Sequence, residues 1–338
     1  MKAYLLNGVG DLCYKDINVP DCPSGWCLVK VIAAGICSSD IPRIFETGTY
    51  HFPTVPGHEF SGIVSMVPDD KNAYLLGKKV GVFPLIPCQS CEFCRNAQYE
   101  LCSHYDYLGS RRNGGFAEYV AVPVWNLIEL NDNVSFVEAA MMEPLSVSLH
   151  AVKKMNLKSK DNVAIVGTGM IAFAAAQWAL SLGVKSVTVI GRSEAKRRIA
   201  ESIHGVKYLT YQENQITYDS VLEAVGTNDS INQSIELVKP GGVIVLMGNP
   251  EGDILFSKDN YWKIIRKQLI VQGTWNSSYK NGTAADWDEV RDSLENKTIN
   301  VQDLVSHIFT KEQLMEALEL MRQQKEPYCK VMTIWNEE

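Results

Sequence analysis

The sequence predicts an α/β protein of two domains, one rich in short β-strands and one built on a doubly wound parallel sheet. Three observations lead there. The 338 residues exceed one ordinary domain. Up to about Val124, short runs rich in Val and Ile are punctuated by Gly, Pro and Asn, with little helical periodicity. After Phe136, helix-length stretches alternate with apolar strand-length runs, the pattern of a parallel sheet covered on both faces.

In the first part, Leu28–Ala33, Gly62–Val67 and Lys79–Phe83 read as strands. Val163 to Val184 carries no charge, a length that invites a transmembrane reading. Its period changes partway, however: Val163–Val166 reads as a buried strand and Met170–Leu182 as an apolar helix, the opening of a βαβ unit. Further strands are expected at Ser186–Ile190, Ser220–Ala224, Val243–Met247 and Leu269–Gly273. Beyond Asn276 come helices around Trp287–Leu294 and Lys311–Arg322, then a strand at Lys330–Trp335 that returns to the first domain. The expected division is residues 1–144 with 279–338, carrying a lobe at 84–104, and an inserted domain at 145–278.

Composition narrows the function. With 46% apolar and 21% charged residues the chain has ample material for a core, which argues against disorder. A formal charge of −7 disfavours nucleic acid and anionic membranes as partners. Met1–Gly10 lacks a basic segment followed by a long apolar core, so a reducing cytoplasm is the expected compartment.

Four of the nine cysteines form a cluster: Cys88, Cys91, Cys94 and Cys102, spaced C-x2-C-x2-C-x7-C. Thiolates two residues apart on a tight loop converge on one metal, and four satisfy tetrahedral zinc. Cysteine spacing alone also resembles some iron–sulfur patterns, but the surrounding sequence favours zinc. A site filled by four thiolates has no room for substrate, so its role is structural.

A second metal set is mixed. Cys37 lies just after a strand, His58 and Glu59 sit in Gly57-His58-Glu59, and Glu143 precedes Pro144. One thiolate, one imidazole and two carboxylates suit zinc with an open or exchangeable position, which polarises a carbonyl or activates an alcohol. Ser39, two residues past Cys37, either carries the alcohol proton or simply bonds to its turn.

Gly167-Thr168-Gly169-Met170-Ile171-Ala172 matches G-x-G-x-x-[G/A] between a strand and a helix, the context in which such glycines cradle a dinucleotide pyrophosphate. The next strand ends in Gly191-Arg192-Ser193, where NAD sites place an acid against the ribose. Gly191 makes room there, and Arg192, with Ser193 and Arg197, can grip a 2′-phosphate, so NADP(H) is expected over NAD(H). Val225, Gly226, Met247 and Gly248, after two later strands, complete the expected coenzyme contacts.

These constellations, in this order, resemble the zinc-dependent medium-chain dehydrogenase/reductase family along essentially the whole chain, and within it the polyol dehydrogenases. The likeness is carried by Cys37 to Phe45, Pro56 to Gly62, Gly109 to Tyr119 and Glu143 to His150. The resemblance implies a GroES-like β domain, a Rossmann coenzyme domain, and a homodimer or homotetramer. It implies one structural zinc and one catalytic zinc, the latter on Cys37, His58 and Glu143, with Glu59 as an alternative ligand that exchanges with water. Many members carry a His five residues after the ligand Cys; here Pro42 stands there, which leaves the proton path to Ser39, water or the ribose. Arg43, Arg111 and Arg112 lie in segments the family folds near its cleft and are candidates for a substrate phosphate. The expected reaction is hydride transfer between a sugar-alcohol phosphate and a ketose phosphate. An NAD-dependent dehydrogenase of unphosphorylated, sorbitol- or xylitol-type polyols, and a non-catalytic zinc- and nucleotide-binding protein, are the other readings.

Overall fold

A computed structural model describes all residues except 193, 251, 281–284 and 338. The chain forms two compact units, Met1–Pro144 with Ser278–Glu338, and Leu145–Ser277. The boundary falls inside the helix Met142–Lys154.

The first unit is organised by the long strand Trp26–Ile36, which pairs with Glu59–Met66, Tyr119–Pro123 and Lys330–Ile334. The seven-stranded sheet continues outward through Lys79–Val82 and Leu127–Glu129 on one side and Val305–Thr310 on the other. The apolar run of Trp26–Ile36 is explained by burial on both faces, with Val29, Val31, Ala34 and Ile36 in one core with Phe60, Val64 and Val80. The C-terminal segment thus enters this sheet directly beside the strand that leads to Cys37.

The second unit holds a six-stranded sheet, all parallel, in the order Val206–Thr210, Ser186–Gly191, Asn162–Val166, Tyr218–Glu223, Val238–Leu246, Ile270–Gly273. The order reverses between Asn162–Val166 and Tyr218–Glu223, and in such sheets ligands bind beyond the strand ends at that reversal. The uncharged stretch resolves into the strand Asn162–Val166 and the helix Met170–Ser181. No helix among the described residues is long and apolar enough to cross a membrane.

Among the described residues, the strands Val206–Thr210 and Val305–Thr310 and the helix Asp40–Phe45 are among the elements the sequence does not announce. Val206–Thr210 is an edge strand of five residues, and Val305–Thr310 alternates half-buried with exposed positions, so neither offers a long apolar run. The helix Asp40–Phe45 is too short to show a period. The expected helix Lys311–Arg322 begins as a 3-10 turn, Lys311–Gln313, before the α-helix Leu314–Gln323.

Candidate active site

In the cysteine lobe, the short pair Leu85–Ile86 and Asp106–Tyr107 closes the neck. A helical turn, Glu92–Arg95, starts at Cys91 and buries Cys94, and the 3-10 turn Tyr99–Leu101 delivers Cys102. The four Sγ atoms lie within 4.8 Å of one another. Cys88 and Cys94 Sγ are 3.9 Å apart, as are Cys91 and Cys102 Sγ. Tetrahedral ligation at a zinc–sulfur distance near 2.3 Å separates sulfurs by about 3.8 Å, so the set fits one ion. A disulfide needs a far shorter approach, and all four cysteines are free thiols. The Ser90 hydroxyl, followed by the Ser90 and Cys91 amides, brings the Cys88 thiol down to about 5, while burial pushes Cys94 up to about 12.

The second set forms where the strand Trp26–Ile36 ends and Glu59–Met66 begins. Cys37, His58 and Glu59 each bring a ligand atom within 4.8 Å of the others. Fully buried Asp40 organises them: its Oδ2 accepts the Cys37 amide at 3.0 Å, and its Oδ1 accepts Arg43 Nη1 at 2.7 Å. Asp40 Oδ1 also lies 3.6 Å from His58 Nδ1, a buried nitrogen without a hydrogen bond. Burial works to lower the His58 pKa, but Asp40 and Cys37 together raise it well above the usual histidine value. A cysteine sulfur, an imidazole facing a buried carboxylate and a second carboxylate form a donor set suited to zinc.

Glu143 is not among the three converging ligands. It is buried on the helix Met142–Lys154, where its Oε1 accepts the Tyr107 hydroxyl at 3.2 Å. Burial raises its carboxyl to about 7. The Tyr107 ring stands edge-on to His58, centroids 5.8 Å apart, so Tyr107 links the two. Glu59 has its own partner: Lys330 Nζ is bonded to Glu59 Oε2. Ser39 Oγ donates to Cys37 Sγ at 3.3 Å. Asp40, Tyr107 and Lys330 went unremarked in the sequence. Asp40 stands within the Cys37 to Phe45 stretch, whereas Lys330 lies 271 residues from Glu59 and no local pattern joins them.

The three arginines differ. Arg43 is tied to Asp40, and Arg112 Nε to Asp106 at 2.6 Å. Arg111 is stacked between Tyr50 and Tyr105, its guanidinium carbon 4.0 Å and 4.5 Å from the ring centres, and makes no ion pair among the described residues. Its Nε is buried without a hydrogen bond.

In the second unit the strand Asn162–Val166 runs into Gly167, whose φ of 127° needs a glycine. Gly169 is the N-cap of the helix Met170–Ser181; no side chain caps that end, and a Cβ on Gly169 would meet nothing within 4 Å. Thr168, Met170 and Ile171 complete this strand-to-helix turn. At the end of Ser186–Gly191 the structure corrects one expectation: the space beside Gly191 is not empty. A Cβ there would overlap Tyr208 Oη and come 2.7 Å from Thr168 Cγ2. The missing acid therefore has a steric cause.

Arg192 is exposed and makes no hydrogen bond or ion pair among the described residues. Arg197 instead is held by Glu194, Glu201 and Glu213 and donates to the Tyr208 carbonyl at 2.9 Å. Ser193 lies outside the described residues. Glu223 gathers the remaining coenzyme candidates. Its Oε1 accepts the Val225 and Gly226 amides at 2.8 and 2.9 Å, and its carbonyl accepts those of Met247 and Gly248 at 2.9 and 3.2 Å.

Residues 23–132 match the family model of the alcohol dehydrogenase GroES-like domain, and residues 170–296 that of the zinc-binding dehydrogenases. Galactitol 1-phosphate 5-dehydrogenase of Escherichia coli K12 is 32% identical over 290 residues, 82% of this chain and 84% of its own. A crystal structure of galactitol-1-phosphate dehydrogenase from Escherichia coli superposes with a TM-score of 0.89 at 30% identity, covering 99% of this chain and 100% of the other. Sorbitol dehydrogenase of Halalkalibacterium halodurans is 30% identical over 331 residues, 92% of this chain and 93% of its own. The NADP-bound structure of a zinc-binding dehydrogenase from Sinorhizobium meliloti 1021 gives a TM-score of 0.88 at 26% identity, covering 98% of each chain.

Proposed function

The chain belongs to the zinc-dependent alcohol and polyol dehydrogenases, NAD(P)-dependent oxidoreductases of CH–OH groups, and we propose that it interconverts a sugar-alcohol phosphate and a ketose phosphate with NADP(H). The convergence of Cys37, His58 and Glu59 carries the chemistry, because three ligands beside buried Asp40, which accepts the Cys37 amide and faces His58, leave a position open on a catalytic ion. Cys37, His58 and Glu59 would hold a zinc that would supply polarisation of the substrate oxygen, and the turn of Gly167 and Gly169 would hold the nicotinamide coenzyme that would supply or accept the hydride. Asp40 orients His58 so that Nε2 is the nitrogen left for the metal. Ser39, which donates to Cys37 Sγ, would pass on the alcohol proton. Glu143, bonded to Tyr107, is the further carboxylate of the centre. The Cys88, Cys91, Cys94 and Cys102 set would hold a structural zinc, and its free cysteines support a cytoplasmic setting.

Coenzyme choice rests on the end of the strand Ser186–Gly191. With Tyr208 Oη beside Gly191, no carboxylate fits there to repel a 2′-phosphate. Arg192, exposed and without an ion pair among the described residues, is the guanidinium for that phosphate, whereas Arg197 is already engaged by carboxylates. Comparing kcat/KM for NADPH and NADH tests this: NADPH should lead, and a preference of about tenfold for NADH (about 1.4 kcal/mol in transition-state stabilisation) overturns it.

The phosphate of the substrate falls to Arg111. It is linked through Tyr105 and Tyr107 to His58 and has no carboxylate partner among the described residues. An unphosphorylated polyol is the second reading. The sorbitol dehydrogenase relative favours it, as does the commitment of Arg43 and Arg112 to aspartates.

A further inference from the structure

We propose that Lys330 is a positioning residue of the metal centre: it holds one oxygen of Glu59, so that this carboxylate offers the ion a single oxygen and a coordination position stays open for substrate. The proposal rests on reading Cys37, His58 and Glu59 as the catalytic zinc set.

Three strands build the contact. Lys330 opens the strand Lys330–Ile334, which runs antiparallel to Trp26–Ile36 with Met332 opposite Gly35. Gly35 in turn pairs with Glu59 at the start of the neighbouring strand. The lysine side chain lies across Gly35: a Cβ there would overlap Glu59 Oε2 and come 2.8 Å from Lys330 Cε. Glycine at this position is what lets the two side chains meet.

Lys330 is 4% exposed, and besides Glu59 Oε2 it donates to the Ile36 carbonyl at 3.1 Å. Burying an ammonium is unfavourable unless it is paired and hydrogen-bonded, so Lys330 and Glu59 depend on each other. Ile36 immediately precedes Cys37, which places this cation against the ligand set and not merely within the same sheet.

The consequence follows from charge and valence. A carboxylate with both oxygens free can chelate a divalent cation and fill the site that substrate needs. The ammonium occupies Oε2 and prevents that. It also places a positive charge beside the ion, which weakens metal binding and strengthens the pull on the substrate oxygen. Outer partners of the ordinary kind are carboxylates or carbonyls; they raise ligand basicity, and losing one loosens the metal. A cationic partner works in the opposite sense, so the sign of the change separates this role from a merely structural one.

The experiment is zinc release from the holoenzyme to a colorimetric chelator, with total zinc per chain and circular dichroism alongside. Lys330→Met should release the zinc of this centre about tenfold more slowly than the wild type, with lower kcat, and Lys330→Arg should restore both. Gly35→Ala, which keeps both charges but forces the side chains apart, should slow release in the same direction. Release at the wild-type rate or faster from folded Lys330→Met overturns the proposal. Should Lys330→Met fail to fold, the same result from Gly35→Ala overturns it. A different outcome tests the underlying reading: wild-type protein holding a single zinc that Cys37→Ser leaves in place removes the site itself.

Discussion

At the scale of single residues, the chemistry is decided by groups whose partners are already visible. Arg43, Arg111 and Arg112 look equivalent in the sequence, yet two carry a carboxylate and one is clamped by Tyr50 and Tyr105. Arg111→Ala should therefore raise KM for a phosphorylated substrate by roughly tenfold or more, as loss of a charge-assisted contact does. KM for the same polyol without phosphate should stay unchanged. Steady-state kinetics on both substrates checks this, and equal effects on the two would place Arg111 in the scaffold.

The same comparison shows what was legible. Ligand types announce themselves, because Cys, His and Glu beside Gly or Pro at strand ends have few other reasons to cluster. The side chains that hold those ligands do not. Lys330 is one basic residue in a C-terminal strand and Tyr107 one of several tyrosines, and only the fold brings them to Glu59 and Glu143. Gly191 was legible as a missing acid, but the reason for the glycine, Tyr208 Oη, belongs to a strand that was not foreseen.

At the scale of elements, the glycine turn and the cysteine lobe were readable because each is local: every contact needed lies within a short segment. The edge strands Val206–Thr210 and Val305–Thr310 were not, since half-exposed strands carry weak apolar periodicity. The C-terminal elements are fastened to the first unit by pairs such as Lys311 with Glu118, at 2.5 Å and both partly buried. Burial works to raise the Glu118 carboxyl, but the Lys311 ammonium and the Lys2 amide outweigh it and hold it below the usual glutamate value. A carboxylate with a lower pKa folded than unfolded stabilises the fold above its unfolded pKa, and this contribution fades as pH falls through the folded value. Glu118→Gln should thus lose about 1 kcal/mol at neutral pH. In urea unfolding the gap to wild type should close as pH drops from about 5 toward 3. A gap that persists at acid pH would assign the effect to packing.

At the scale of the whole molecule, the strand Ile270–Gly273 ends the sheet of the second unit, with no strand paired to its outer side among the described residues. In the edge strand Ile270–Gly273, Ile270 is 56% exposed, and Tyr261, Trp262 and Ile265 on the adjoining helix Lys258–Arg266 are exposed as well. An apolar edge strand of this kind pairs with another strand or aggregates. The homodimer or homotetramer that the sequence resemblance implies would cover this edge by symmetric pairing with a second copy. If that pairing forms, replacing Val271 with Pro, which removes a donor from that edge, should lower the mass measured by light scattering. A wild-type monomer would remove this surface from the account.

The two metal sets, the coenzyme turn and Arg111 converge on one activity, and one measurement addresses it most directly. It is kcat/KM of the zinc-loaded protein with NADP⁺, comparing a hexitol 1-phosphate with the same hexitol unphosphorylated. The account predicts turnover of the phosphate ester at least roughly tenfold more efficient than that of the free polyol, abolished by Cys37→Ser. No oxidation of either polyol with NADP⁺ or NAD⁺, by protein carrying its full zinc, would contradict it.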